Sequence, residues 1–232
     1  MKSGCNILIA GSSQGIGKDL ARHYAGRGHH VAGFSRGQSD LTHERYRHFR
    51  ADVADAGQVQ HVFSALLGTP PDVLIYCAGS KANSLALLMS AKDAEETLRS
   101  SVLGAFITTR NAVRGMKRRG FGRVIYLSSV VVPLGQAGSV IYGAGKAGLE
   151  QLAFSMSREF AKENITFNAL GLSIYPSRMT ESMGEAVLDN TRSVLVKSAD
   201  MALDELVGAI DFFASDAARQ ITGQALYFGG VR

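Results

Sequence analysis

The chain contains no tryptophan, only two cysteines and only four prolines among its 232 residues. Two thiols, Cys5 and Cys77, supply neither a disulfide framework nor a metal-ligand spacing. Each lies in an apolar run, where free cysteine behaves as a small hydrophobe, and the pattern suits a reducing compartment. Long apolar stretches are missing as well. None approaches the roughly 18 residues of a spanning helix, and the run ending at Gly11 is too brief for the core of a signal peptide. A soluble, cytoplasmic protein without membrane association is the expectation. Nor does one sign of charge dominate. The formal balance is +5, spread along the chain with clusters at Arg45, Arg47 and Arg50 and at Lys117, Arg118 and Arg119. No recognition motif accompanies those clusters, so solvated faces or attraction for phosphorylated small molecules explain them better than a nucleic-acid partner.

What is present is an ordinary globular composition, 46% apolar and 19% charged. The length suits one large α/β domain with a self-sufficient core. Short apolar runs alternate with longer helical patterns. Strands are expected at residues 6–10, 30–34, 47–52, 73–77, 123–128, 166–170 and 225–228, and helices at 15–28, 56–67, 91–119, 140–163 and 201–215. Residues 73–75 and 124–127 are apolar on both faces, as strands covered by helices on both sides are. The alternation predicts a single α/β domain over residues 1–232, a doubly wound, seven-stranded, mostly parallel sheet flanked by helices. Pro70, Pro71, Pro133 and Pro176 fall at expected element boundaries, and no linker or repeat divides the chain. In such a sheet ligands bind beyond the carboxyl ends of the strands, near the switch in strand order. The residues there carry the functional information.

After the first strand comes Gly11-Ser12-Ser13-Gln14-Gly15-Ile16-Gly17, which opens the first helix. Glycines here serve a tight turn, close backbone approach to a pyrophosphate and close helix–strand packing. The helix amino terminus then presents free N–H groups and a positive dipole end to phosphate. Glycine spacing alone is weak, and a purely structural turn is the competing reading. The apolar strand before it and the amphipathic helix after it favour a dinucleotide site. At the end of the second strand stands Ser35-Arg36 instead of an acidic residue. A carboxylate there would hold the ribose 2′-hydroxyl of NAD, whereas a guanidinium offers bidentate bonds to a 2′-phosphate. NADP(H) is therefore the expected cofactor, set against a solvated loop arginine.

Tyr142 and Lys146 lie one helical turn apart on one face. A phenol with its usual pKa near 10 exchanges protons poorly at neutral pH unless its anion is stabilised, which a neighbouring ammonium does. Ser129, thirteen residues before Tyr142 and just past the fifth strand, could hold a substrate carbonyl beside that phenol.

The glycine spacing, Arg36, the Ser129/Tyr142/Lys146 set and the late Ile221-Thr222-Gly223-Gln224 together resemble the classical short-chain dehydrogenase/reductase family over essentially the whole chain. The resemblance implies a Rossmann-type fold and carbonyl reduction or alcohol oxidation. In that family the tyrosine protonates the carbonyl oxygen, the lysine lowers the tyrosine's pKa and grips the nicotinamide ribose, and the serine orients the substrate. It further implies that Asp52 and Val53 contact adenine, and that Cys77, Ala78 and Gly79 occupy the family's N-N-A-G position. Ile174 with Tyr175 and Ser177 would cover the carboxamide. The general appearance is closest to 3-oxoacyl-[acyl-carrier-protein] reductases and related ketoreductases, with a small-molecule or carrier-bound ketone as substrate.

Several places depart from the family pattern. Ala10 replaces its threonine, and Tyr76-Cys77 replaces both asparagines of N-N-A-G. Ser101 replaces the asparagine that anchors a relay water, and Leu172-Ser173 replaces Pro-Gly. A serine hydroxyl still binds water but is shorter. Residues 173–194 are expected as one pocket wall, with Leu172, Tyr175, Met179 and Met183 as lining. The resemblance also implies a homodimer or homotetramer through the helices at 91–119 and 140–163, where Ala105, Ala112, Ala147, Gly148 and Ala153 are small enough to pack. Two alternatives stay open: an alcohol or sugar dehydrogenase working oxidatively, and a weakly catalytic NADP(H)-binding regulatory protein.

Overall fold

A computed structural model describes residues 1–2, 4–66, 68–79, 84–181 and 183–231, with the side chains of Arg178 and Met179 left aside. Along the chain run β1 (Asn6–Ala10), α1 (Gly15–Gly26), β2 (His30–Ser35), β3 (Tyr46–Arg50), α2 (Ala56–Ala65) and β4 (Val73–Tyr76). Then come α3 (Ala91–Leu98), a π-helical segment (Arg99–Leu103), α4 (Gly104–Arg119), β5 (Gly122–Ser129), α5 (Val131–Leu134) and α6 (Val140–Glu159). The last part holds β6 (Ile165–Leu172), α7 (Arg178–Glu181), α8 (Glu185–Val194), α9 (Leu203–Phe213) and β7 (Ala225–Tyr227).

The strands form one sheet in the order β3-β2-β1-β4-β5-β6-β7, with each neighbouring pair parallel. Side chains alternate between its faces with period two. Leu8, Leu74, Tyr76, Val124 and Tyr126 meet α2, α4 and α6 through Val59, Val62, Ala105, Ala112, Met116, Leu149 and Ala153. Ile7, Ile9, Ile75, Ile125 and Leu127 meet α1 and α9 through Leu20, Tyr24, Leu206, Ile210 and Phe213. This explains why β4 and β5 are buried along their whole length: each has a helical layer on both faces. Truncating a residue such as Leu74 or Ile75 to alanine should cost about 2–5 kcal/mol.

The strand order turns between β1 and β4. β1 pairs with β2 on one side, and the chain then crosses to pair β4 on the other. The crevice outside the carboxyl ends of these strands is the place where such sheets bind ligands. Among the described residues no helix is long and apolar enough to cross a membrane.

The expected helix at 91–119 is interrupted. Gly104 N–H is directed to the carbonyls of Arg99 and Ser101, while the fully buried Tyr76 hydroxyl donates to the Ser100 carbonyl at 2.6 Å. The phenol takes an oxygen that an unbroken α-helix would offer to residue 104, so the ladder widens into a π-turn. A Cβ at Gly104 would stand 2.5 Å from the same hydroxyl, so glycine is what lets the helix pass.

The small residues expected at a subunit interface mostly serve this chain's own core. Ala105, Ala112 and Ala153 are buried within it, and Gly148 makes room for Val102 of the π-turn. The exposed apolar side chains of these helices include Leu98, Leu103, Phe106, Val140 and Phe154.

Candidate active site

At the carboxyl ends of the strands lies a cleft of about 610 Å³, within the range of ligand pockets. Its lining includes Gly11, Ser13, Gln14, Gly15, Ile16, Gly17, Ser35, Arg36, Asp52, Val53, Cys77, Ala78, Gly79, Ser129, Tyr142, Lys146 and Ile174. Of the sequence-derived site residues only Ser101 stands back from the surface, wholly buried behind it.

The glycine loop is fitted to its neighbours. Gly11 has φ +88°, and a Cβ there would come 2.7 Å from the Ala78 backbone nitrogen. A Cβ on Gly17 would overlap the Gly11 carbonyl oxygen. Gly15, with φ +54°, has nothing within 4 Å of its Cβ direction, so a side chain would project into open space at the head of α1. That helix begins at Gln14 with no side-chain cap and no acidic residue in its first turn. Its leading N–H groups and positive dipole end are left to the cleft, the arrangement that holds phosphate. These residues fit a dinucleotide.

The loop after β2 is held from below. The Ser35 hydroxyl donates to the Gly37 carbonyl at 3.1 Å, and His48 Nε2 lies 2.9 Å from the same oxygen. A carbonyl only accepts, so Nε2 carries a proton, while Nδ1 lies 2.9 Å from the Tyr46 hydroxyl. Arg36 reaches out of this loop to Glu96 on α3, Nη1 to Oε1 2.7 Å. Asp52 Oδ1 accepts from the Ala54 N–H, and the Asp52 N–H donates to Gln58, fixing the floor between β3 and α2.

Ser129 ends β5, and its Oγ accepts from the Val131 N–H at 3.3 Å. Its neighbour Ser128 points to the opposite side and donates to Glu150 of α6 at 2.5 Å; Tyr227 of β7 donates to the other oxygen of that carboxylate at 2.6 Å. One carboxylate thus ties α6 to two strands and sets the height of Tyr142 and Lys146 over the cleft. The Lys146 ammonium lies 5.6 Å from the Tyr142 ring centre and donates to the Leu127 carbonyl at 2.8 Å.

Burial raises the Tyr142 phenol above its usual pKa, and the Ser129 hydroxyl pulls it back as a hydrogen-bond partner. Burial likewise lowers Lys146 to about 8, with Cys77 opposing the shift. Cys77 is itself pushed up to about 12 by burial, so its thiol stays protonated at neutral pH. Tyr142 is therefore a neutral proton donor, and the Lys146 charge is titratable near neutrality. Ser101 Oγ has no hydrogen-bond partner among the described residues. It packs between Gly145, whose Cβ would stand 3.0 Å away, and Gly79, whose Cβ would stand 3.6 Å away. An orphan hydroxyl buried beside Lys146 has the capacity to hold one water.

The far half of the cleft is walled by Leu172, Ser173, Tyr175, Ser177, Thr180 and Met183. The expected contribution of the Met179 side chain lies outside the described residues. Tyr175 anchors this wall by donating to Asp19 of α1 at 2.9 Å. Thr191, within the expected wall at 173–194, lines the cleft, as do Ser100 and Gln136, to which the sequence did not point. Gln136 donates to Thr191 at 3.0 Å, joining the turn after α5 to α8. Ser100 and Ser101 are neighbours in the π-turn, and only Ser100 reaches the cleft surface.

The sequence profile of the short chain dehydrogenases matches residues 5–188. The 3-oxoacyl-[acyl-carrier-protein] reductase MabA of Mycobacterium tuberculosis is 29% identical over 227 residues, covering 97% of this chain and 91% of its own. The reductase FabG of Staphylococcus aureus is 28% identical over 242 residues, covering 99% and 98%. Among solved structures, 4-hydroxyisoleucine dehydrogenase complexed with NADH superposes with a TM-score of 0.88 at 22% identity, covering 98% of each chain. A putative gluconate dehydrogenase from Agrobacterium tumefaciens gives 0.89 at 22% identity, covering 98% of this chain and 95% of its own. At that identity the structural likeness speaks for the Rossmann-like fold alone. With the profile spanning most of the sequence, this chain belongs to the short-chain dehydrogenase family of oxidoreductases, which act on CH–OH and C=O groups.

Proposed function

We propose that this protein reduces a ketone with NADPH, the ketone being a 3-oxoacyl thioester or a related small molecule. The observation that carries the reading is the lining of one cleft. Arg36 stands at its adenosine end, and Ser129, Tyr142 and Lys146 stand at its other end. The curated relatives MabA and FabG are 3-oxoacyl-[acyl-carrier-protein] reductases by name, which supports a thioester substrate.

The α1 amino terminus and the glycine loop would hold the pyrophosphate, Arg36 and Ser35 the 2′-phosphate, and Lys146 the nicotinamide ribose. The bound cofactor supplies a hydride. The Ser129 hydroxyl donates to the substrate carbonyl oxygen and keeps it beside the phenol. Tyr142 gives that oxygen its proton, and the resulting phenolate is stabilised by the Lys146 ammonium and by Ser129. The Ser101 hydroxyl holds a water in the path that returns a proton to Tyr142. Burial keeps the Tyr142 phenol protonated at neutral pH, as the proton donor of a reduction must be. The chain acts as one catalytic domain in the cytoplasm and as a homo-oligomer, with exposed Phe106 and Phe154 on the associating helices. Light scattering near the 24.7 kDa of one chain would refute the oligomer.

The test is cofactor consumption with acetoacetyl thioesters and a panel of cyclic and aromatic ketones, with NADPH and NADH side by side. Reduction that runs with NADPH and much more slowly with NADH supports the reading. Faster NADP⁺-dependent alcohol oxidation at neutral pH contradicts the direction, and tight NADPH binding without turnover of any ketone contradicts catalysis.

A further inference from the structure

We propose that Glu96 is the resident counter-ion of the 2′-phosphate site, and that it sets how strongly this chain prefers NADP(H) over NAD(H). The proposal rests on the NADPH reading above and assigns a specificity-determining role to a residue outside the cleft lining.

The backbone under Arg36 is fixed. Ser35 and His48 hold the Gly37 carbonyl, and Arg50 Nε donates to the Arg36 carbonyl at 3.1 Å. Only the long side chain of Arg36 remains free to choose a partner. It takes Glu96, sixty positions along the chain. Glu96 sits on α3, one turn before Ser100, which itself lines the cleft. Arg36 and Ser100 both line the cleft, so the ion pair joins the Arg36 loop to the helix that leads into the cleft wall.

The pair is held weakly. The Arg36 and Glu96 side chains are 60% and 47% exposed, and exposed pairs contribute little because water screens them. A phosphate dianion offers the guanidinium two parallel charge-assisted bonds and displaces a single carboxylate oxygen. The exchange leaves the Glu96 carboxylate facing the phosphate without its partner. NADP(H) pays that repulsion on binding, whereas the 2′-hydroxyl of NAD(H) leaves the Arg36–Glu96 pair in place. Other charged groups near Arg36 include Asp52, whose carboxylate acts on it through space, and Arg50, which bonds its carbonyl. Removing the Glu96 charge should thus tighten NADPH selectively, and reversing it should tighten NADPH further.

Equilibrium titration of NADPH and NADH by calorimetry, on the wild type, Glu96→Gln, Glu96→Lys, Arg36→Ala and the Arg36→Ala/Glu96→Gln double variant, tests this independently of turnover. Thermal melting of each variant checks the fold. We expect Glu96→Gln to tighten NADPH by about two- to fivefold, the worth of an exposed ion pair, with little change for NADH. Glu96→Lys should exceed it, and in the Arg36→Ala background the effect of Glu96→Gln should shrink. A wild type that prefers NADPH, combined with a Glu96→Gln variant that moves neither affinity or moves both equally, overturns the counter-ion role and leaves the cofactor reading intact. A wild type that binds NADH as tightly as NADPH overturns both.

Discussion

Alanine at Gly11 and alanine at Gly15 should fail in different ways, because the two glycines are needed for different reasons. At Gly11 the backbone has φ +88°, and a Cβ would lie 2.7 Å from the nitrogen and 2.9 Å from the Cα of Ala78. A left-handed conformation costs an L-residue about 1–2 kcal/mol. Both clashing atoms are backbone, so relief requires the ends of β1 and β4 to separate, and overpacking of that kind costs about 1–3 kcal/mol. Together Gly11→Ala should lose about 2–5 kcal/mol, which in a chain of this size lowers the melting temperature by roughly 5–20 °C. Gly15 has φ +54° and nothing within 4 Å of its Cβ direction, so Gly15→Ala incurs only the conformational cost, about 1–2 kcal/mol. Its methyl group, however, stands at the head of α1 where the pyrophosphate should sit. NADPH affinity should fall at least about tenfold, or 1.4 kcal/mol. Thermal melting with and without NADPH, paired with calorimetric titration, separates the two effects. If Gly11→Ala melts with the wild type, or if Gly15→Ala binds NADPH normally, the glycine loop has been misread.

The pH profile of kcat/KM for reduction follows from Lys146. Its pKa is lowered to about 8 while that of Tyr142 is raised from 10. As pH rises through about 8 the ammonium is lost and the phenol is still protonated, so kcat/KM should fall on the alkaline side with a single ionisation there. A profile flat to pH 10 would refute the assignment, since kcat/KM reports groups of the free enzyme. Tyr76→Phe removes the buried bond to the Ser100 carbonyl and should cost about 1–3 kcal/mol in denaturant unfolding. Because that bond shapes the π-turn behind Ser101, the same variant should lower kcat more than it raises the KM for cofactor. An unchanged kcat would detach the π-turn from catalysis.

The seven strands and their parallel arrangement were readable because buried parallel strands are apolar on both faces, as in β4 and β5. Turn glycines and the phenol–ammonium spacing on α6 are local in sequence, so they too could be read. The interruption of the long helix could not. It arises from the Tyr76 hydroxyl, which approaches from a different strand, and no periodicity within residues 91–119 announces it. Likewise the Glu150 bridge, the Gln136–Thr191 contact and the Arg36–Glu96 pair join residues 22 to 77 positions apart. Short α5 and α7 carry too few turns to give a helical pattern, and the wall at 173–194 reads as loop until α8 packs Leu188 and Thr191 inward. Small side chains misled in the opposite sense. Ala105, Ala112 and Ala153 look like interface residues, but they let α4 and α6 pack closely onto this chain's own sheet.

The most direct test of the central claim is the comparison of Tyr142→Phe with the wild type on the ketone that the wild type reduces fastest. NADPH consumption gives turnover, and calorimetry gives NADPH binding. Phenylalanine keeps the ring against Lys146 and removes only the transferable proton. Turnover should fall by about 10²–10⁴-fold, the usual worth of a positioned general acid, with NADPH binding essentially unchanged. Turnover within about tenfold of wild type, with binding intact, would show that the proton comes from elsewhere and that the Ser129/Tyr142/Lys146 site is not the catalytic one.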